Sequence, residues 1–162
     1  MTTRADPAGA AEPPALDLPQ HDGLLGQIVR LNMAVSRVLE HITGEAGITV
    51  ADYLVLAVVR RSPGHCTTPT AIATVLGRTT GGMTLALDRL EAAGWVRRAP
   101  HPDDRRRILV ELTPDGLRLA TRVNDALHDW ERSLPIPDAQ RRATGHALDA
   151  LTSAIGANGI AS

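Results

Sequence analysis

Between Thr68 and Leu112 the hydrophobic period of the chain changes abruptly at Gly94, and few folds accommodate what stands on either side. Before Gly94 lie two short stretches of helical period. The first fits Thr68 to Leu76, with Thr67 or Thr68 as its cap and Pro69 in the first turn, where the missing N–H has no helical partner to lose. Gly77 ends it. The second runs from Thr79 or Thr80 to Ala93 and is closed by Gly94. Two short helices joined across a glycine turn make a helix-turn-helix pattern. After Gly94, Trp95–Arg98 and Arg107–Leu112 read as short strands. The intervening Ala99-Pro100-His101-Pro102-Asp103-Asp104 is too rich in Pro to read as anything but a loop. The expectation is a β-hairpin with an extended tip, a wing, directly behind the second helix.

Longer helices flank this core. Leu24, Ile28, Leu31, Val35, Val38 and Ile42 recur at steps of four and three, a single helical stripe that Gly44 and Gly47 terminate. Thr49 followed by Asp52 three residues later marks the next helix start, which runs to the break at Ser62-Pro63-Gly64. Thr113 and Pro114 open a fifth helix with the stripe Leu117, Ala120, Val123, Leu127 and Trp130, and a sixth runs from about Asp138 to Ile155. The fold class expected is mainly α with a small β-wing, in the order α-α-α-α-β-β-α-α: a winged helix-turn-helix core flanked by dimerisation helices. Its divisions are a flexible tail (1–20), a dimerisation helix (21–47), the core (48–113) and C-terminal dimerisation helices (114–162). Leu16 and Leu18 are candidates for docking the tail on the body.

Composition narrows the class of function. The 162 residues, 43% of them hydrophobic, suffice for one domain with extensions, and the absence of Phe favours close packing through small side chains. Net charge is −1, so any footprint for nucleic acid must be local. Residues 78–110 supply one: seven Arg (78, 89, 97, 98, 105, 106 and 107) face four carboxylates there, while the rest of the chain is net acidic. All seventeen basic residues are Arg, the better reader of phosphate and groove. The single Cys66 excludes an intramolecular disulfide. No apolar run approaches a membrane span, and the first twenty residues lack the apolar segment of a secretory signal, so a cytoplasmic location without membrane attachment is expected.

Three stretches give the chain a family resemblance. Leu90-Glu91-Ala92-Ala93-Gly94-Trp95-Val96-Arg97-Arg98, Pro102-Asp103-Asp104-Arg105-Arg106-Arg107 and Leu109-Val110-Glu111-Leu112-Thr113-Pro114-Asp115-Gly116 resemble the MarR signature. That signature reads LE-x-x-G-L/W-V-x-R, a wing-tip D-R-R, then L-T-x-x-G. Gly47 to Leu56 is similar to the family's second-helix start, and the likeness extends from Gly23 to Gly116. The resemblance implies a triangular homodimer interlocked through helices one, five and six. It also implies recognition helices reading a pseudopalindromic duplex, and a small-molecule pocket between the dimer and DNA-binding regions. By the same resemblance Asp104 braces the wing and Arg105 or Arg106 enters the minor groove, where a narrow groove concentrates negative potential.

The second helix of the pair departs from the family. Relatives often carry basic residues after a Met-Thr pair, as in M-T-K-R-L, whereas this chain continues Met83-Thr84-Leu85-Ala86-Leu87-Asp88. Base reading is therefore expected from Thr79, Thr80, Met83 and Thr84, with Gly81 and Gly82 either admitting DNA closely or merely shaping the helix start. Arg78 is a phosphate candidate and Arg97 a backbone candidate. Arg98 serves the wing itself, and Arg89 is expected to pair with Asp88 or Glu91 if it does not reach outward. Asn32, Ser36, Tyr53 and Trp130 are the candidate effector-lining residues.

Enzymatic readings lack parts. No G-K-S/T follows Gly81-Gly82, no Ser-His-Asp spacing appears, and the scattered His41, His65, Cys66 and His128 have poor metal-ligand spacing. No metal, cofactor or catalysis is expected, and Cys66 reads as a small hydrophobe. The function expected is a sequence-specific DNA-binding transcriptional regulator, a repressor modulated by a small molecule. The alternative is a winged-helix protein whose DNA reading has decayed into a ligand- or protein-binding module.

Overall fold

The computed structural model describes residues 23–102 and 104–157, excluding the side chains of Thr80, Arg105 and Arg106. The expected tail at 1–20 lies outside the described residues. Two compact units divide the chain, one ending at Val38 and the other beginning at Leu39.

Helix α1 spans Leu24–Glu45, and only Ile42 and Thr43, near its end, are buried. Helix α2 follows as Val50–Arg61. Its start is the predicted capping box: the Thr49 hydroxyl accepts from the Asp52 N–H at 3.1 Å, and the Asp52 carboxylate accepts from the Thr49 N–H at 3.4 Å. Helices α3 (Pro69–Leu76) and α4 (Thr80–Ala92) are capped by Thr68 and Thr79. Gly77 between them sits at φ 60°, ψ 35°, a left-handed conformation that turns the chain sharply at no steric cost.

The sheet has one strand more than the sequence pattern revealed. Cys66–Thr67 forms β1, β2 is Val96–His101 and β3 is Asp104–Leu112, in the antiparallel order β1-β3-β2. Two residues carry no detectable alternation, so β1 exists only because Cys66 and Thr67 fall opposite Glu111 and Val110. The wing also corrects the expected loop at 99–104. Ala99 pairs with Leu109, Pro100 with Ile108 and His101 with Asp104, the register shifting between Pro100 and His101. Pro100 is tolerated because β2 is an edge strand, where a missing N–H need not break a ladder.

Helix α5 (Pro114–Ser133) starts at the predicted Thr113 cap, and α6 spans Asp138–Ala157. The α5 stripe is rotated from expectation: Gly116, Leu119, Ala120 and Val123 are buried, Leu117 and Leu127 are half-buried and Trp130 is 39% exposed. Helix α5 packs on α2 and β3 through the first set. The core of this unit gathers Val55, Leu56 and Val59 of α2, Ile72 of α3, Met83, Leu87 and Leu90 of α4, and Val96, Val110 and Val123. Helix α6 has no buried residue at all.

Candidate nucleic-acid interface

Helix α4 has two opposed faces. Met83, Ala86, Leu87 and Leu90, spaced i, i+3, i+4 and i+7, are buried against the rest of the unit. Gly81, Thr84, Leu85 and Asp88 repeat the same spacing two residues earlier and are exposed. Met83, at 1% exposure, is thus a core residue and not the base contact expected of it; the exposed apolar residue is Leu85, at 69%. Helical arithmetic from the Leu87–Leu90 pair back to Met83 carried this signal. Thr84 remains on the outer face, while the Thr79 hydroxyl caps the helix by accepting from the Gly82 N–H at 3.5 Å.

The arginines divide into engaged and free. Arg89 does not pair with Asp88 or Glu91. Its Nε and Nη2 donate to Oδ1 of Asp52 at 3.1 and 2.6 Å, joining α4 to the capping box of α2. Burial pushes the Asp52 carboxyl up, but the hydrogen bonds from Arg89 and Thr49 and the charge of Arg89 outweigh it, holding the group below its ordinary 3.8. Arg98 bridges the wing to α4, meeting Asp88 at 2.6 Å and Glu91 at 2.8 Å, the structural role expected of it. Arg97 donates to Glu111 at 2.6 Å across the β2–β3 register, an ion pair within the sheet on a side chain that stays 71% exposed.

Arg78, before α4, and Arg107, on β3, are exposed and have no side-chain partner among the described residues. The local cationic footprint is therefore Arg78 plus the wing. Arg107, counted in the basic stretch of the sequence but given no contact there, belongs to it. Asp104 opens β3 opposite His101, while the side chains of Arg105, Arg106 and Thr80 lie outside the described residues.

Among the effector candidates, Tyr53 is buried and Trp130 partly exposed. Asn32 and Ser36 lie on α1 in the unit ending at Val38, the first exposed and the second half-buried. Burial raises the Cys66 thiol pKa, and the nearby Glu111 carboxylate raises it further against a smaller opposing effect of Arg97. That environment disfavours the reactive thiolate. No group of three or more His, Cys, Asp or Glu suited to a metal occurs among the described residues. No single helix among them is long and apolar enough to cross a membrane.

Two short helices with a capped, half-exposed second member, backed by a three-stranded sheet whose hairpin projects beside it, define a winged helix-turn-helix protein. Residues 46–107 match the model of the MarR family. The HTH-type transcriptional regulator PecS of Dickeya dadantii is 30% identical over 122 residues, covering 75% of this chain and 74% of PecS. The multiple antibiotic resistance protein MarR of Salmonella typhimurium is 38% identical over 93 residues, 57% of this chain and 63% of that protein. A crystal structure of a mutant MarR from Escherichia coli complexed with operator DNA superposes with a TM-score of 0.66. It is 30% identical, and the match covers 78% of this chain and 92% of that one. The chain belongs to the MarR family of transcriptional regulators.

Proposed function

We propose that this protein binds duplex DNA as a homodimer, with α4 in the major groove and the β2–β3 wing against the flanking backbone and minor groove. The observation that carries the reading is the outer face of α4: solvent-exposed, its Asp88 paired with Arg98, and accompanied by Arg78 and Arg107, which have no side-chain partner among the described residues. A helix of this kind reads base edges while cations beside it neutralise phosphate. Thr79, Thr80 and Thr84 are assigned to the groove and its rim, and Asp104, Arg105 and Arg106 to the wing tip.

Dimerisation is supported by apolar surface that one copy leaves uncovered. Leu148 and Ile155 of α6 are exposed, as are Leu24, Leu31 and Val35 of α1. A second copy would cover such stripes, and two-fold symmetry then presents two α4 helices to a pseudopalindrome. Repression relieved by a small molecule is the mode proposed, the effector favouring a dimer whose α4 spacing mismatches the duplex. Asn32, Ser36, Tyr53 and Trp130 are its proposed lining.

The test is selection of duplexes from a random pool, followed by affinity measurements on selected and scrambled duplexes across a salt series. Arg78→Ala and Arg107→Ala should each weaken both duplexes and reduce the salt slope by about one. Equal affinity for selected and scrambled duplexes would instead favour the reading in which DNA recognition has decayed, Leu85 then serving another partner.

A further inference from the structure

We propose that α4 recognises its duplex through thymine methyl groups, with Leu85 as the reading side chain and Gly81-Gly82 as the clearance that lets the helix approach. The inference rests on the DNA-binding reading above and specifies what that interface reads.

The first argument is from the chemistry of the exposed face. Gly81, Thr84, Leu85 and Asp88 make up that face; it carries no Lys, Asn or Gln, and the exposed Arg89 at its edge, one turn after Leu85, is committed to Asp52. The bidentate contacts that identify guanine or adenine are therefore unavailable to it. Asp88 is likewise held, by Arg98 at 2.6 Å. An apolar side chain in the major groove has one distinctive target, because thymine alone of the four bases presents a methyl group there. Leu85, 69% exposed in the second turn of α4, lies within the N-terminal part of the helix that reaches base edges in this docking mode.

The second argument is from the glycines. Glycine is the least favourable helix residue after proline, yet two stand together in the first turn of α4. Nothing inside the fold requires them. A Cβ on Gly81 would meet no atom within 4 Å, and one on Gly82 would meet only the Thr79 hydroxyl at 3.6 Å, an ordinary contact. Neither takes the left-handed conformation that calls for glycine elsewhere in the chain. The requirement then comes from outside, from a surface that must come closer than a Cβ allows. Gly81 is one turn before Leu85 on the same face, so that clearance lowers Leu85 toward the bases. Arg78 and Arg107 suit the phosphates of that surface better than they suit an apolar protein partner.

The experiment uses the full-length protein and its best selected duplex, replacing each thymine in turn by deoxyuridine, which removes only the methyl group. One position in each half-site should lose about fourfold in affinity, the equivalent of unburying one methyl-sized group, and the symmetric double replacement about sixteenfold. Leu85→Ala should bind thymine and deoxyuridine duplexes equally while retaining its circular dichroism spectrum. Gly81→Ala should melt at a higher temperature than the parent yet bind every duplex at least about tenfold more weakly, the outcome of lost approach rather than lost folding. The proposal is overturned if the parent binds its selected duplex with no deoxyuridine effect at any position, or if Leu85→Ala retains that effect. It is overturned in its second half if Gly81→Ala binds as the parent does. Failure to select any duplex would instead remove the DNA-binding reading itself.

Discussion

Replacing Gly116 by Ala tests the packing logic of the whole winged unit with one methyl group. Gly116 is the third residue of α5, and a Cβ there would stand 1.9 Å from the Trp95 carbonyl oxygen and 2.7 Å from its carbon. Comfortable contacts between heavy atoms lie near 3.5 Å, so the start of α5 and the turn after α4 must part by more than about 1 Å. Both sides of the collision are backbone, and no rotamer relieves it. The same junction is tied by the Thr113 N–H donating to the Trp95 carbonyl at 3.1 Å and the Thr113 hydroxyl donating to the Gly94 carbonyl at 2.7 Å. Overpacking costs about 1–3 kcal/mol, and losing two hydrogen bonds adds about 1 kcal/mol each. Alanine's better helix propensity returns up to about 1 kcal/mol. The net expectation is a loss of about 2–4 kcal/mol, read as a urea midpoint lowered by about 1 M or more at fixed protein concentration. Gly145→Ala in α6 is the control, since its Cβ would meet nothing within 4 Å and should be neutral or stabilising. A Gly116→Ala protein within about 0.5 kcal/mol of the parent would refute the reasoning, because surface substitutions ordinarily fall in that range.

Three further outcomes follow from particular contacts. Arg89→Gln should move acid unfolding to higher pH. Asp52 is 4% exposed and its carboxyl is held below the ordinary value in the folded state, so its stabilisation is present above the unfolded pKa and lost as pH falls through the folded one. Without Arg89 the effect of burial is opposed less, and an unchanged acid midpoint by circular dichroism would contradict the assignment. Leu148→Glu, on a face of α6 that one chain leaves exposed, should raise the dimer dissociation constant by at least about tenfold in sedimentation, the scale of losing a buried leucine. A dimer as tight as the parent's would move the interface elsewhere. Cys66 should react with iodoacetamide at pH 7 more slowly than free cysteine, because burial and Glu111 both keep it a thiol; a faster rate would reverse that reading.

The features legible in the sequence were those set over a few residues. Caps at Thr49, Thr68, Thr79 and Thr113 depend on one hydroxyl and an N–H three positions on; the sequence reading named Thr49 and Thr113, offered Thr68 beside Thr67, and set only a helix start at Thr79 or Thr80. The turn at Gly77 and the change of period at Gly94 are equally local, and with the signature stretches they defined the helix-turn-helix and wing. What tertiary structure decided was which face is inside and which charge meets which. Met83 and Leu85 are two apolar residues on one helix; the spacing from Leu87 and Leu90 puts Met83 on their face, but it is the packing of the other elements on that face that buries the first and leaves the second exposed. Arg89 has Asp88 and Glu91 as sequence neighbours, yet its partner Asp52 stands 37 positions away, because α4 crosses the start of α2. Pro100 breaks a strand by local rules and stays in one because β2 has an edge to spare. Local chemistry is written in residue order, whereas burial and ion pairing depend on distances that exist only after the elements have packed.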